Sequence, residues 1–204
     1  MAGFSLVELM LSLSLGLALS GVMLQGLVAE GQSSGRFTSL LREKAAQRRT
    51  LALIKADLEQ ATSLTALPDQ VGAACNLSGR RVLLQLESPV GAITYSVGSA
   101  PSPIWRGHVL MRCGPAYSLD GLLTRAGASQ NRVVLDALPL AVGPTDLCGA
   151  PGEAQAPLGV CLQPESAVLT VRLAQQLSGR ASLTIQTERA YAAPVQLDQP
   201  WRDR

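Results

Sequence analysis

Aromatic side chains make up only 3% of this 204-residue chain: two Trp, three Tyr and two Phe. Base-stacking platforms and carbohydrate clefts are built on aromatic faces, so that scarcity argues against both. Histidine is scarcer still. His108 stands alone, which argues against a multi-histidine metal site and against a His-based triad. Charge of one sign is lacking as well: 17 basic against 15 acidic residues leave a net +2. So small a net charge generates no long-range field to gather nucleic acid as the main partner. No P-loop, GxSxG, HExxH or dinucleotide-binding pattern occurs. Nothing in the chain looks catalytic, and no cofactor or metal is expected. Glycine (19) and proline (12) are ordinary, which excludes a collagenous or disordered chain.

What the sequence does have is a long apolar run at its front. From Phe4 to Ala29 the one ionisable side chain is Glu8. At 1.5 Å per residue such a stretch makes about 39 Å of helix, enough to cross a hydrocarbon core of about 30 Å. A secretory signal peptide would begin with Lys or Arg, carry a 7–15-residue apolar core and end in a small-residue cleavage site. This segment begins Met1-Ala2-Gly3, runs longer and has no such exit. A plain membrane anchor leaves Glu8 unexplained, because a carboxylate within a bilayer span costs a few kcal/mol and usually has a partner.

Gly3-Phe4-Ser5-Leu6-Val7-Glu8-Leu9-Met10 resembles the N-terminal signature of type IV prepilins and pseudopilins. The resemblance implies that a dedicated membrane peptidase cuts between Gly3 and Phe4, removing residues 1–3 as a leader. It implies that Phe4 is then N-methylated and that Glu8 stays within the apolar helix. The leader departs from the family pattern in lacking Lys and Arg. Chemically, the freed amine of Phe4 and the Glu8 carboxylate of a neighbouring subunit can leave lipid as a pair. Such a pair does little for stability but fixes register.

Behind the apolar run, Gly31-Gln32-Ser33-Ser34-Gly35 reads as a local weakening of the helix. Phe37, Leu40, Leu41, Ala45, Leu51, Ile54, Leu58, Ala61 and Leu64 then recur at spacings of three and four, one stripe of an amphipathic helix. Residues 36–59 carry six basic and three acidic side chains, read as a solvated helix face, with contact to lipid or to an acidic neighbour as the alternative. No proline precedes Pro68, so the helix is expected to run to about Leu64. Residues 4–29 would form the membrane or filament-core helix, 30–66 the amphipathic helix, and 67–204 a globular head.

The head has strand-like texture. Runs rich in Val, Ile, Leu and Thr occur at 81–87, 92–97, 108–112, 132–135, 167–173 and 182–188, separated by Gly- and Pro-bearing turns at 88–91, 99–103, 143–146 and 177–180. About six strands against the helix stripe make an α+β fold with an antiparallel sheet, the last two runs forming a hairpin. The segments Ala56–Ser63, Ile93–Val97, Leu110–Arg112 and the closing TIQTER run look similar to the PilW-type minor pilins and equally to the J-type pseudopilins of type II secretion. That resemblance implies a minor pilin taking part in pilus assembly, priming or capping, or else a secretion pseudopilin. Its implied partners are the prepilin peptidase, other minor pilins, the major pilin and the inner-membrane assembly platform. The chain would sit in the cytoplasmic membrane with its head outside, and later in the filament. A membrane-anchored adhesin or ligand-binding module is the reading from a different class.

Four cysteines without a C-x-x-C pattern read as two disulfides in an exported head. Of the three pairings, Cys75–Cys113 with Cys148–Cys161 is the one expected, with Gly149–Pro157 as a surface loop. Asn76-Leu77-Ser78 matches a glycosylation acceptor. His108, Trp105 and Trp201 read as packing residues, and Asp120, Asp136 and Asp146 lack the spacing of a calcium loop.

Overall fold

The computed structural model describes residues 5–68, 77, 79–125, 129–139, 145, 146, 148, 158–163, 168–176 and 183–191, with the backbone alone at 28–36, 145–146 and 183–191. The fold is α+β. Among the described residues, one helix, α1 (Leu6–Glu59), precedes eleven strands. By its contacts the chain divides into two units, residues 1–43 and 44–204.

In the first unit, Leu6–Leu27 is long and apolar enough to cross a membrane. Its large side chains are exposed along the whole stretch, Leu6 at 76%, Leu17 at 67% and Leu27 at 69%. The backbone stays helical through Gly31–Gly35, so the expected weakening is absent. Two interior glycines cost about 1 kcal/mol each, which does not outweigh helical neighbours on both sides.

In the second unit, the helix buries Gln47, Thr50, Leu51, Ile54, Asp57 and Leu58. The expected stripe is thus corrected at both ends. Phe37 and Leu41 are exposed, and Leu64 is buried in a strand, not on the helix. The last turn tightens, with Gln60 N–H donating to Asp57 O and Ala61 N–H to Leu58 O, both 3.2 Å. Thr62 N–H then donates to Glu87 O at 2.7 Å, which draws the chain out of the helix into β1 (Ser63–Ala66).

β2 (Arg81–Ser88), β3 (Gly91–Ser99), β4 (His108–Gly114) and β7 (Gln130–Leu138) complete a five-stranded antiparallel sheet of order β1-β2-β3-β4-β7. β5 (Ala116–Tyr117) and β6 (Leu123–Thr124) form a two-stranded ribbon. β8 (Thr145–Asp146), β9 (Gly159–Gln163), β10 (Val168–Gln176) and β11 (Leu183–Tyr191) form a second sheet of order β11-β10-β9-β8. β10 and β11 are paired antiparallel across nine positions, from Val168 opposite Tyr191 to Gln176 opposite Leu183.

The architecture differs from a single sheet of six strands. Among the described residues there are three sheets, β8 and β9 pair in parallel, and Thr145–Asp146, read as a turn, is a strand. The second sheet reaches the first through β9, near β1 and β2, and through β10, near β7. β3 is buried continuously from Ile93 to Gly98, as expected of a strand covered on both faces. Leu51, Ile54 and Leu58 share one core with Leu84, Leu86, Tyr95, Leu110, Val160 and Leu173. Each such side chain contributes roughly 1.5–3 kcal/mol of transfer free energy.

Candidate functional site

At the front of the chain, Ser5 is the N-cap of α1. Glu8 N–H donates to Ser5 Oγ at 3.3 Å, and Ser5 N–H donates to Glu8 Oε2 at 3.2 Å. This reciprocal pair is a capping box, which satisfies two of the donors a helix start leaves open. The carboxylate sits at the positive end of the helix dipole. Glu8 therefore has a partner within its own chain. Sequence reading had only offered it one on a neighbouring subunit, although Ser5-x-x-Glu8 is itself the spacing of a capping box. Gly3 and Phe4 lie outside the described residues. Ser12, Ser14 and Ser20 turn their hydroxyls back onto Leu9 O, Leu11 O and Gly16 O, so these three hydroxyls are satisfied within the apolar span.

The second centre was missed by sequence reading. Register places Leu84, Tyr95, Arg112 and Arg132 in one row across β2, β3, β4 and β7. Neighbours across a sheet point to the same face. Asp57, fully buried on α1, meets that row. Arg112 donates through Nε to Asp57 Oδ2 and through Nη2 to Asp57 Oδ1, both at 2.7 Å. The Tyr95 hydroxyl donates to Oδ2, and the Tyr117 hydroxyl to Oδ1 at 2.6 Å. Four donors thus fill the lone pairs of one carboxylate. Arg112 Nη1 reaches Pro115 O at 2.9 Å, and the guanidinium stands 5.3 Å from the Tyr117 ring centroid.

The electrostatics follow. Burial, then the Asp57 charge and hydrogen bond, push the Tyr95 hydroxyl well above its ordinary range. Tyr117 is pushed up by burial, then by its hydrogen bond to Asp57 and the Asp57 charge. Burial works to lower Arg112, but its hydrogen bond to Asp57 and the charge of Asp57 more than offset this, and the guanidinium is held more firmly protonated. The cluster is a locked charge pair with two neutral phenols. Its carboxylate is filled by donors from three strands.

A second arginine is held, among the described residues, without an acid. Arg80 donates from Nε to Ser96 Oγ, from Nη1 to Ser99 O, and from Nη2 to Ser96 O and Val109 O, at 2.8 to 3.1 Å. Burial lowers its pKa from the usual value. From the residue before β2 it clamps β3 to β4.

The remaining sequence candidates are scattered. Cys148 and Cys161 form a disulfide with Cα atoms 5.0 Å apart. Cys113 is buried in β4, and Cys75, its expected partner, lies outside the described residues. Asn76, Ser78, Trp201 and residues 149–157 also lie outside them. His108 and Trp105 are half-buried at the edge of β4. Asp136 faces Arg106 at 3.7 Å, Asp120 stands exposed in the β5–β6 turn, and no group of metal-binding side chains gathers among the described residues. No family model, no curated protein and no solved structure matches this chain.

Proposed function

We infer that this chain is a minor type IV pilin, cut by prepilin peptidase between Gly3 and Phe4. In this reading it waits in the cytoplasmic membrane with its head outside, and then enters a pilus to assist its assembly, priming or capping. The observation that carries the reading is the segment from Ser5 to Leu27. Its 22-residue apolar helix holds Glu8 as its one ionisable group, directly behind the Gly3-Phe4 junction. A face of exposed leucines this long requires lipid or other helices around it. Its partners would be prepilin peptidase, other minor pilins, the major pilin and the inner-membrane assembly platform.

The capping box supports this reading in a specific way. Until a neighbour supplies the Phe4 amine, Glu8 is held by Ser5, so the carboxylate is not left bare in lipid. The α+β head, tied to the second half of the helix by Asp57, fits the same plan. A type II secretion pseudopilin shares these features, since the signature and the strand patterns are common to both.

The test is processing by a prepilin peptidase in membranes. The wild-type chain is expected to lose residues 1–3 and gain a methyl group on Phe4, read by mass spectrometry. Gly3→Leu should stop cleavage. Unchanged processing of that variant, or none of the wild type, overturns the reading.

A further inference from the structure

Arg80 is a half-buried cation whose hydrogen bonds all end on neutral groups. They run from Nε, Nη1 and Nη2 to Ser96 Oγ and to the carbonyls of Ser96, Ser99 and Val109. No carboxylate pairs with it among the described residues, and none offsets the lowering of its pKa by burial, whereas Asp57 holds Arg112 up. A guanidinium carries five N–H donors, so one on Nη1 is left over. A partly desolvated charge with neutral partners keeps an attraction for an anion that nothing around it uses.

The seat of this arginine is built. A turn closed by Arg80 N–H on Leu77 O at 2.9 Å, with Gly79 at φ 69°, sets its backbone. Its stem lies across Gly98, where a Cβ would stand 3.0 Å from Arg80 Cγ and 3.2 Å from its Cα. A side chain at that position would push the arginine away.

Beside it runs an apolar rim. Arg80 Nη1 reaches Ser99 O at the end of β3, and the chain then turns through Ala100-Pro101-Ser102-Pro103-Ile104-Trp105 towards β4. Pro101, Pro103 and Ile104 are exposed, Ile104 at 77%, and Trp105 is half-buried. This turn is fixed as well: Trp105 N–H donates to Ser102 O at 3.3 Å, and Ala137 N–H to Arg106 O at 2.6 Å. Register brings residues 79–82, 97–110 and 135–138 to one end of the sheet, and their charges are Arg80, Arg81, Arg106 and Asp136, with His108 between. Asp136 faces Arg106 at 3.7 Å, so the surplus at this corner is positive. A fixed arginine beside tryptophan, isoleucine and proline has the composition of an interface centre, and its rigidity lowers the cost of binding.

We propose that Arg80 and the β3–β4 turn form a docking surface for a different subunit of the fibre, which lays an Asp or Glu side chain on Arg80 and an apolar side chain on Ile104. The carboxylate supplies the missing counter-charge and accepts the unused Nη1 donor. The kind of partner rests on the filament reading above: a subunit that primes or caps a fibre meets neighbours of other sequence, not a row of its own copies.

The experiment uses the full chain in its host's membranes, with a photo-crosslinker at Pro103 and adducts identified by mass spectrometry. The expected adduct is another processed pilin, marked in a segment that carries Asp or Glu. Arg80→Met and Ile104→Asp are each expected to cut its yield about tenfold. Ile104 faces solvent, so Ile104→Asp should keep the wild-type melting temperature while losing the adduct. Changing the marked acid to Arg should restore the adduct to Arg80→Glu, which also shows that variant folded. No adduct, a yield unmoved by either substitution, no restoration, or adducts on lipid or on another copy of this chain would each overturn the surface. Cleavage after Gly3 is scored separately. A processed chain without the adduct overturns the surface and leaves the pilin reading standing. An Arg80-dependent adduct on an unprocessed chain overturns the pilin reading and leaves an acidic partner docked at this corner.

Discussion

At Asp57 one carboxylate joins a helix to three strands, and the energetics of that junction depend on how it is broken. Removing one member of a buried pair leaves an uncompensated charge, which costs about 3–5 kcal/mol, whereas replacing both by apolar groups of similar volume is often neutral. Asp57→Ala in the full chain in micelles should therefore lose stability of that order in urea titration. Asp57→Leu with Arg112→Met should recover most of it; a double variant as unstable as the single one would contradict the account. The tyrosines add a pH dependence whose sign is fixed. Their folded pKa values are raised, so the protonated form is favoured in the folded state. Their contribution is complete below the unfolded value of about 10 and is lost as pH rises above it, by about 1.4 kcal/mol per pH unit for each group. Melting temperature should stay flat in tyrosine-linked terms from pH 7 to 9 and fall above 10. Tyr95→Phe should blunt that fall, and an equally steep fall in the variant would count against it.

Helix α1 shows what one element can encode twice. Its first turn is built by Ser5 and Glu8, and an N-cap Ser→Ala change costs about 0.5–2 kcal/mol. Ser5→Ala should speed amide exchange at Glu8, whose N–H loses the Ser5 hydroxyl and keeps only the Ser5 carbonyl at 3.1 Å, while amides past Leu51 stay protected; unchanged exchange at Glu8 would refute the cap. How far the sequence shows such features varies along the helix. The apolar span was legible because one charge among so many apolar residues admits few readings. The strands were legible at 81–87, 92–97, 108–112, 132–135, 167–173 and 182–188 because β-branched runs stood between turns. The second half of the helix was less so. Periodicity counts apolar residues, and here the buried face includes Gln47, Thr50 and Asp57. The signal was available in part: Asp57 stands in phase with Ile54 and Leu58, and Arg112 follows Leu110 in a strand. An acid and a base at core phases require each other. Tyr117 could not have been added, since its two-residue strand has no pattern of its own. Leu64 was assigned to the helix because its spacing fits, but its pairing opposite Leu86 decided otherwise.

At the scale of the whole molecule, the apolar composition belongs to two different solvents. The core of residues 44–204 keeps Leu58, Leu83, Leu86 and Leu110 fully from water, as a folded body does by itself. The leucines of Leu6–Leu27 are exposed, and none of that span is buried among the described residues. These demands are separable, because the pair Asp57–Arg112 and its phenols lie entirely within 44–204. Each Leu, Val or Met moved into lipid contributes of the order of 1.5–3 kcal/mol, and the thirteen of them between Leu6 and Leu27 outweigh the one carboxylate at Glu8. A chain beginning at Lys44 should therefore fold and remain in solution, while the full chain floats with lipid vesicles. The checks are vesicle flotation and the alkaline melting profile of the Tyr95 cluster in both chains. The truncated form should show the same fall above pH 10 and no flotation. If it floated as the full chain does, the head itself would hold membrane affinity. If it lost the alkaline transition, the helix before Lys44 would be part of what seats Asp57 on the sheet.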